Sequence, residues 1–325
     1  MRNILLVVKN NLQRIIKEKI ILFIVIIILP IVVYFGIYFG QIDDIKGKLA
    51  IVGADLQQET MMKESMEENS NINPVFLDKE PSTTDLIKGV YLAEIDFRSG
   101  DPKVISYGNK DIKLSLEASL RGEVYEGSEE SQTVEGKIIG FLIMFLFFGS
   151  LMVMDNFLTD RENGIYVRVL HGKLSYFQYM IGQILYSMLA LTLPTVILTL
   201  LVLNVLNVEL SISYGLMSLL IVLVGILSSS FAILISTLCK NKVAVTMGGS
   251  AIAMITCLLG GCIVNIVDSN NVMEFLRGLL PQKRLIDLAN NFNNNDLAFL
   301  LVVIVLFIGF SIFLGKKQYE NGEFI

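Results

Sequence analysis

The feature that most constrains this chain is a set of six long apolar runs without a single Asp, Glu, Lys or Arg: residues 20–38, 138–154, 179–206, 216–238, 244–267 and 297–314. A helix of ~20 apolar residues (range about 17–25) crosses the hydrocarbon core of a bilayer. Inside that core every backbone N–H and C=O must find a partner, and a helix supplies all of them within one segment. Each run therefore reads as a membrane-spanning helix. Composition agrees, with 53% hydrophobic and 18% charged residues and a mean hydropathy of +0.62. Soluble domains average ~45–50% and ~25%, so a soluble enzyme is excluded. A net charge of −5 without a basic patch excludes a nucleic-acid partner. The third run is long and carries Pro194, which predicts a kink or a tilted helix. The first run is longer than the 7–15 apolar residues of a signal peptide, and residues 36–40 lack a small-x-small cleavage site, so it reads as a retained span.

Orientation follows from Lys and Arg in the short flanks. With both termini inside, the cytoplasmic flanks hold Arg2, Lys9, Arg14, Lys17, Lys19, Arg161, Arg168, Lys173, Lys240, Lys242, Lys316 and Lys317. The outside loop 207–215 has no cation, and the outside segment 268–296 has Arg277, Lys283 and Arg284 against four acids. Residues 41–137 then form an outside domain with 20 acidic and 11 basic residues, net −9. Strand-like stretches at 48–52, 89–97 and 104–107 and a possible helix at 112–121 predict a small α+β module. The expected fold class is thus an all-α integral membrane protein of six transmembrane helices, with a small α+β extracellular domain inserted between helices 1 and 2. In residues 1–19, Leu5, Val8, Leu12, Ile15 and Ile16 share one helical face and cations fill the rest. That pattern suits a helix lying on the cytoplasmic membrane surface, in preference to a charged flank that only orients the first span.

Energy and chemistry are constrained by what the sequence lacks. There is no Gly-x4-Gly-Lys-Ser/Thr loop, no His-Glu-x-x-His and no Gly-x-Ser-x-Gly. Cys239, Cys257 and Cys262 lie in or beside apolar runs and build no disulfide framework, and a lone His171 builds no multi-histidine metal site. Spans without ionisable residues argue strongly against proton coupling and less strongly against sodium. Such a transporter borrows its energy from a partner. The cytoplasmic loop 155–178 mixes Asp160, Arg161, Glu162 and Arg168 with Ile165, Val169 and Leu170. It reads as a short amphipathic helix for a soluble partner or as a solvated connector.

That loop, Asp160-Arg161-Glu162-Asn163-Gly164 followed by Arg168-Val169-Leu170, resembles the loop of type-2 ABC exporter permeases. In those proteins an acidic-basic-Glu-x-Gly stretch and an Arg-Leu-Leu-type run precede and form the coupling helix that the ATP-binding subunit moves. Ser236–Lys242 before a Gly-rich span resembles the family's turn before span five, and residues 271–292 with Pro281 resemble its paired outside helices that dip toward the membrane. Residues 48–55 and 88–97 resemble the subgroup with an extracellular domain between spans one and two, also called type V ABC exporters. The resemblance implies that Asp160, Arg161, Glu162, Gly164, Arg168 and Leu170 couple the permease to its ATPase. It also implies a separate ATP-binding-cassette subunit that carries the ATP and magnesium, no cofactor on this chain, and a second permease subunit, identical or different. The implied setting is a prokaryotic plasma membrane, and the implied cargo a hydrophobic or amphipathic molecule such as an antimicrobial peptide, drug or lipid.

Two patterns inside the spans carry weaker expectations. Gly249, Ala253, Cys257 and Gly261 recur every four residues, a spacing that lets another helix approach, either within the subunit or across a dimer or transport path. Ser228, Ser229 and Ser230 either line a polar translocation path or hydrogen-bond carbonyls one turn back. Two rival functions share these features: a sodium-extruding ABC permease, and a membrane receptor whose acidic outside domain binds a ligand. Six spans exceed what anchoring a receptor requires.

Overall fold

The computed structural model describes residues 2–17, 21, 23–42, 47–54, 72–77, 80–87, 90–91, 93–98, 102–106, 116–117, 120, 132–172, 174–239, 241–263 and 271–321. Lys19, Lys173, Lys240, residues 264–267 of the expected fifth span and most of the expected helix 112–121 lie outside them. The chain divides into two compact units, Gln41–Ser131 and the remainder.

In chain order, helix α1 is Arg2–Lys17, and α2 (Leu29–Ile42) follows a π-turn at Ile24–Ile28. The smaller unit holds β1 (Gly47–Val52), β2 (Ile72–Leu77), α3 (Thr83–Ile87), β3 (Ala93–Asp96) and β4 (Lys103–Ile105). Then come α4 (Val134–Val153), α5 (Asp155–Glu162), α6 (Ile165–Leu170) and α7 (Tyr176–Ser187). A second π-turn, Met188–Thr192, leads into α8 (Leu193–Val205), followed by α9 (Tyr214–Leu238) and α10 (Lys242–Leu259). The chain continues through α11 (Asn271–Gly278), α12 (Pro281–Asn290) and α13 (Asn294–Glu320).

Six helical stretches among the described residues are long and apolar enough to cross a membrane: Ile24–Gln41, Val134–Glu162, Tyr176–Val205, Tyr214–Leu238, Lys242–Leu259 and Asn294–Glu320. The fifth ends at Leu259, where Gly260 donates to the Thr256 and Leu258 carbonyls and Gly261 turns the chain at φ 80°. The helical unit is organised around α9 and α4, whose spans are 72% and 67% buried, whereas α13 is 17% buried and leaves most of its surface outward. Helices that already sit in an apolar solvent gain little from hydrophobic burial and associate through close packing and hydrogen bonds. The first span shows how: a methyl on Gly36 would stand 2.9 Å from the Ile138 Cα, and one on Gly40 2.8 Å from that of Val134. This Gly-x3-Gly pair brings α2 against α4 backbone to backbone.

Both π-turns sit directly before a Leu-Pro pair. The Leu29 N–H bonds the Ile24 carbonyl and the Leu193 N–H bonds that of Met188, each five residues back. Pro30 and Pro194 have no N–H, and their rings exclude the carbonyl four residues upstream. A wider turn is the local response.

The smaller unit has the strand order β2-β1-β3-β4. β1 runs parallel to both β2 and β3, in the registers Ala50↔Val75 and Leu49↔Ala93, and β4 closes the edge antiparallel, with Ile95 opposite Val104. Leu49, Ile51, Ala93, Ile95 and Val104 form its core, almost fully buried. Burying side chains of the size of Leu or Ile contributes roughly 1.5–3 kcal/mol each before conformational entropy is subtracted.

Candidate functional site

The short helix α5 continues α4 past Met154, and three consecutive side chains at its end reach three different elements. Asp160 accepts a 2.7 Å charge-assisted bond from Arg14 Nη1 of α1. Arg161, buried, donates to the Ser236 and Cys239 carbonyls at the end of α9, at 2.5 and 2.6 Å, with its guanidinium 5.8 Å from the centre of the Phe157 ring. Glu162 accepts the backbone N–H of Lys242, the first residue of α10, at 3.0 Å. Helices α9 and α10 are separated only by residues 239–241, so a helix C-terminus and a helix N-terminus lie side by side. The last carbonyls of a helix lack partners and carry partial negative charge, and the first amides carry the opposite. The cation Arg161 meets the former and the anion Glu162 the latter. The order of charge at 161–162 therefore matches the two dipole ends. The Lys242 ammonium turns back to Asp155 at the start of α5, 2.7 Å away, and fastens α10 a second time.

Gly164 turns the chain between α5 and α6 at φ 64°, a backbone conformation open to glycine and costly for other residues. Arg168 reaches back from α6 to the Asn163 carbonyl at 3.1 Å and to that of Gly164 at 3.4 Å, so it holds this turn. Leu170 is buried beneath α6, whereas Ile165 and Val169 are each 39% exposed one turn apart. His171 lies against Tyr319 of α13, ring centres 6.3 Å apart.

Helix α1 packs on α7, and Asn11 donates to Gln183 at 2.9 Å within that contact. The buried face of α1 is Val8, Asn11 and Ile15, while Leu5 and Ile16 are 65% and 63% exposed. The five apolar residues that share a face in sequence are thus divided between packing and outward exposure. A groove of about 550 Å³ opens between α1, α5, α6 and α7, lined among others by Asn3, Asn10, Arg14, Asp160, Ile165 and Val169.

The other sequence candidates fall elsewhere. Gly249, Ala253, Cys257 and Gly261 are all buried, and a methyl on Gly249 would meet Leu151 of α4 at 3.0 Å and Ile235 of α9 at 3.1 Å. In this chain the stripe packs inside the subunit. Ser228, Ser229 and Ser230 are enclosed as well. Ser228 and Ser230 donate to the carbonyls of Gly225 and Leu227, Ser150 donates to Ser228 at 3.1 Å, and Ser229 to Ser187 at 2.9 Å. Sequence reasoning missed Arg14, Asp155 and Lys242 as members of the junction. Their charge was visible, but nothing local says which helix end each will meet.

At the far end of α4, some 30 Å away at 1.5 Å per residue, the fastenings differ. Thr133 caps α4, and its N–H and hydroxyl both donate to Asn290 Oδ1 of α12, at 3.1 and 2.8 Å. Gln132 donates to the Gly261 carbonyl at 2.8 Å, Glu135 accepts from the Ser211 N–H, and Arg284 pairs with Asp296 at 2.7 Å.

Six membrane-length helices, a buried α4/α9 core and a charged junction at one end define a multi-pass membrane protein. A family model described as ABC-2 family transporter protein matches residues 99–315, two thirds of the chain. The chain therefore belongs to the ABC-2 transporter family and is a membrane permease component, a class that works with an ABC ATPase. No curated protein matches it.

Proposed function

We propose that the chain is the membrane subunit of an ABC exporter, with α5 and α6 as the element on which the ATP-binding subunit acts from the cytoplasm. The observation that carries this reading is the run Asp160-Arg161-Glu162, which joins one short helix to α1, to the end of α9 and to the start of α10. A force on α6 passes through Gly164 into α5 and from there into spans two, four and five, and through α1 into span three. Exposed Ile165 and Val169 beside the groove offer a soluble partner an apolar contact ringed by charge. ATP and magnesium belong to that partner, whose hydrolysis supplies the work. Two permease subunits pair around the path, because six helices packed on a central α9 enclose little room for a sizeable cargo. Apolar spans favour an amphipathic or hydrophobic cargo, moved outward, and both termini face the cytoplasm with residues 41–137 outside, as in type V exporters.

Purification of the tagged chain from its native membrane in mild detergent tests this. A stoichiometric ATP-binding subunit with vanadate-sensitive ATPase activity is expected, and Glu162→Arg should abolish transport while membrane insertion stays normal. Recovery of the chain alone, without ATPase, overturns the proposal. ATPase activity that requires sodium would replace the amphipathic cargo with sodium extrusion.

A further inference from the structure

The end of the fifth span holds two of the chain's three cysteines, and the proposed coupling uses neither. Helix α10 closes in a Schellman turn: the Gly261 N–H donates to the Leu258 carbonyl at 3.1 Å and the Cys262 N–H to the Cys257 carbonyl at 3.0 Å. Gly261, at φ 80°, supplies the left-handed residue that such a turn needs. On an unbroken helix, residues five apart point about 140° away from each other, so spacing alone hides any pairing. The turn instead brings the residue after the glycine back over the end of the helix, against the residue whose carbonyl accepts its bond.

Two thiols therefore stand together. They are close enough for one to hydrogen-bond the other, and Cys257 and Cys262 are 1% and 0% exposed. The 3.0 Å backbone bond keeps their Cα atoms within roughly 7 Å of each other, and disulfides bridge Cα separations of about 4.4–6.8 Å. The turn is also tied to the second span. Gln132, just before α4, donates to the Gly261 carbonyl at 2.8 Å, and a methyl on Gly140 of α4 would collide with the Cys262 carbonyl. The third cysteine, Cys239, lies at the opposite end, just before α10, where its carbonyl accepts from Arg161 in the charged junction.

We infer that Cys257 and Cys262 form a disulfide that staples the end of the fifth span to its own cap. The step joins the two Sγ atoms, breaks two S–H bonds and passes two electrons and two protons to a disulfide of the surrounding compartment, which leaves as two thiols. Disulfides persist where the compartment is oxidising, so the inference rests on the outward orientation of this end proposed above. The enclosed sulfurs assign bond formation to the assembly of the chain, before α10 settles on α4, and they shield the finished bridge from reductants. Cys239, on the cytoplasmic side, stays a thiol. The bridge holds the Gly261 and Cys262 carbonyls where Gln132 and Gly140 meet them, so the start of the second span and the end of the fifth keep one geometry.

The test takes the full chain from its native membrane, traps free thiols with N-ethylmaleimide in denaturant and counts them by mass spectrometry of the digested peptides. One trapped thiol, on Cys239, is expected, with Cys257 and Cys262 joined and lighter by two hydrogens. Reduction in denaturant should release both. Cys262→Ser should leave Cys257 free, giving two trapped thiols. It should also speed amide hydrogen exchange at residues 260–262 by about tenfold or more, because hydrogen bonds alone then close the cap. Three trapped thiols in the wild-type chain, or amide exchange unchanged by Cys262→Ser, overturn the inference. Protease added to intact cells tells whether the orientation falls with it: cleavage within residues 41–131 keeps the outward reading after the bridge has failed, and an uncleaved chain removes both. None of these outcomes bears on whether an ATPase partner is recovered.

Discussion

The two ends of α4 are fastened by different chemistry. At its α5 end, four charged side chains meet helix termini or an opposite charge: Asp155, Asp160, Arg161 and Glu162 hold α1, α9 and α10. At its start, neutral amides and hydroxyls do most of the joining, through Gln132, Thr133 and Asn290. A charge-assisted bond is roughly twice as strong as a neutral one, and its loss leaves a charge or a dipole end stranded. The comparison teaches that the α5 end ties several helices to one short element through charge, whereas at the other end neutral bonds stand beside two charged ones, Glu135 with the Ser211 N–H and Arg284 with Asp296.

The largest effect that would break this contrast is at Arg161. Arg161→Ala leaves the Ser236 and Cys239 carbonyls without their donor in a buried site, and a loss of about 2–4 kcal/mol is expected. Thermal unfolding of the detergent-solubilised chain measures it; a change no larger than that of a surface variant would refute the junction as a mechanical unit. Exchanging the two charges, Arg161→Glu with Glu162→Arg, should be worse than Arg161→Ala, because each side chain then faces the wrong dipole end. Asn290→Ala at the far end removes two neutral bonds but also an amide nitrogen that has no partner. About 1 kcal/mol is expected, and a loss equal to that of Arg161→Ala would erase the difference between the ends. Smaller again is Lys242→Met, which breaks an ion pair whose side chains are each more than 40% exposed. Less than about 1 kcal/mol is expected, vanishing in high salt.

A last and finer distinction is protonic. Burial raises the Asp287 carboxyl above its ordinary 3.8, with Lys283 opposing the shift. The folded state then holds the proton more tightly than the unfolded one, so this group's contribution falls as pH rises from about 3.8 through its raised value. Asp287→Asn should therefore gain stability relative to wild type across that window and nowhere below it, read from paired melting curves against pH.

The six spans were legible because the absence of charge over a membrane's width is a local property. Strands β1, β3 and β4 overlap the stretches expected from alternating and apolar patterns. β2 was missed, since Asn73-Pro74 interrupts its pattern; the structure places it at the sheet edge, where a proline costs no ladder bond on its outer side. The acidic-basic-Glu run was visible too, but its partners were not. Arg161 binds backbone carbonyls 75 and 78 residues away, and no side-chain pattern marks a helix end as an acceptor. The same limit applies to α1, whose inward face joins Asn11 to Val8 and Ile15 and leaves Leu5 and Ile16 of the apolar stripe outside it.

The π-turn at Met188–Thr192 has a consequence for how the third span serves two neighbours. A turn closed five residues back holds one residue more than an α-turn, about 100° of rotation around the axis. Below it, Gln183 faces Asn11 of α1; at its end Thr192 lies against Gly225 of α9, and α8 packs on α9 beyond it. Deleting one residue from this turn would swing Gln183 off α1 by that angle while α8 kept its place. The extra residue is a phase correction, and it lets one helix keep step with two partners set at different angles.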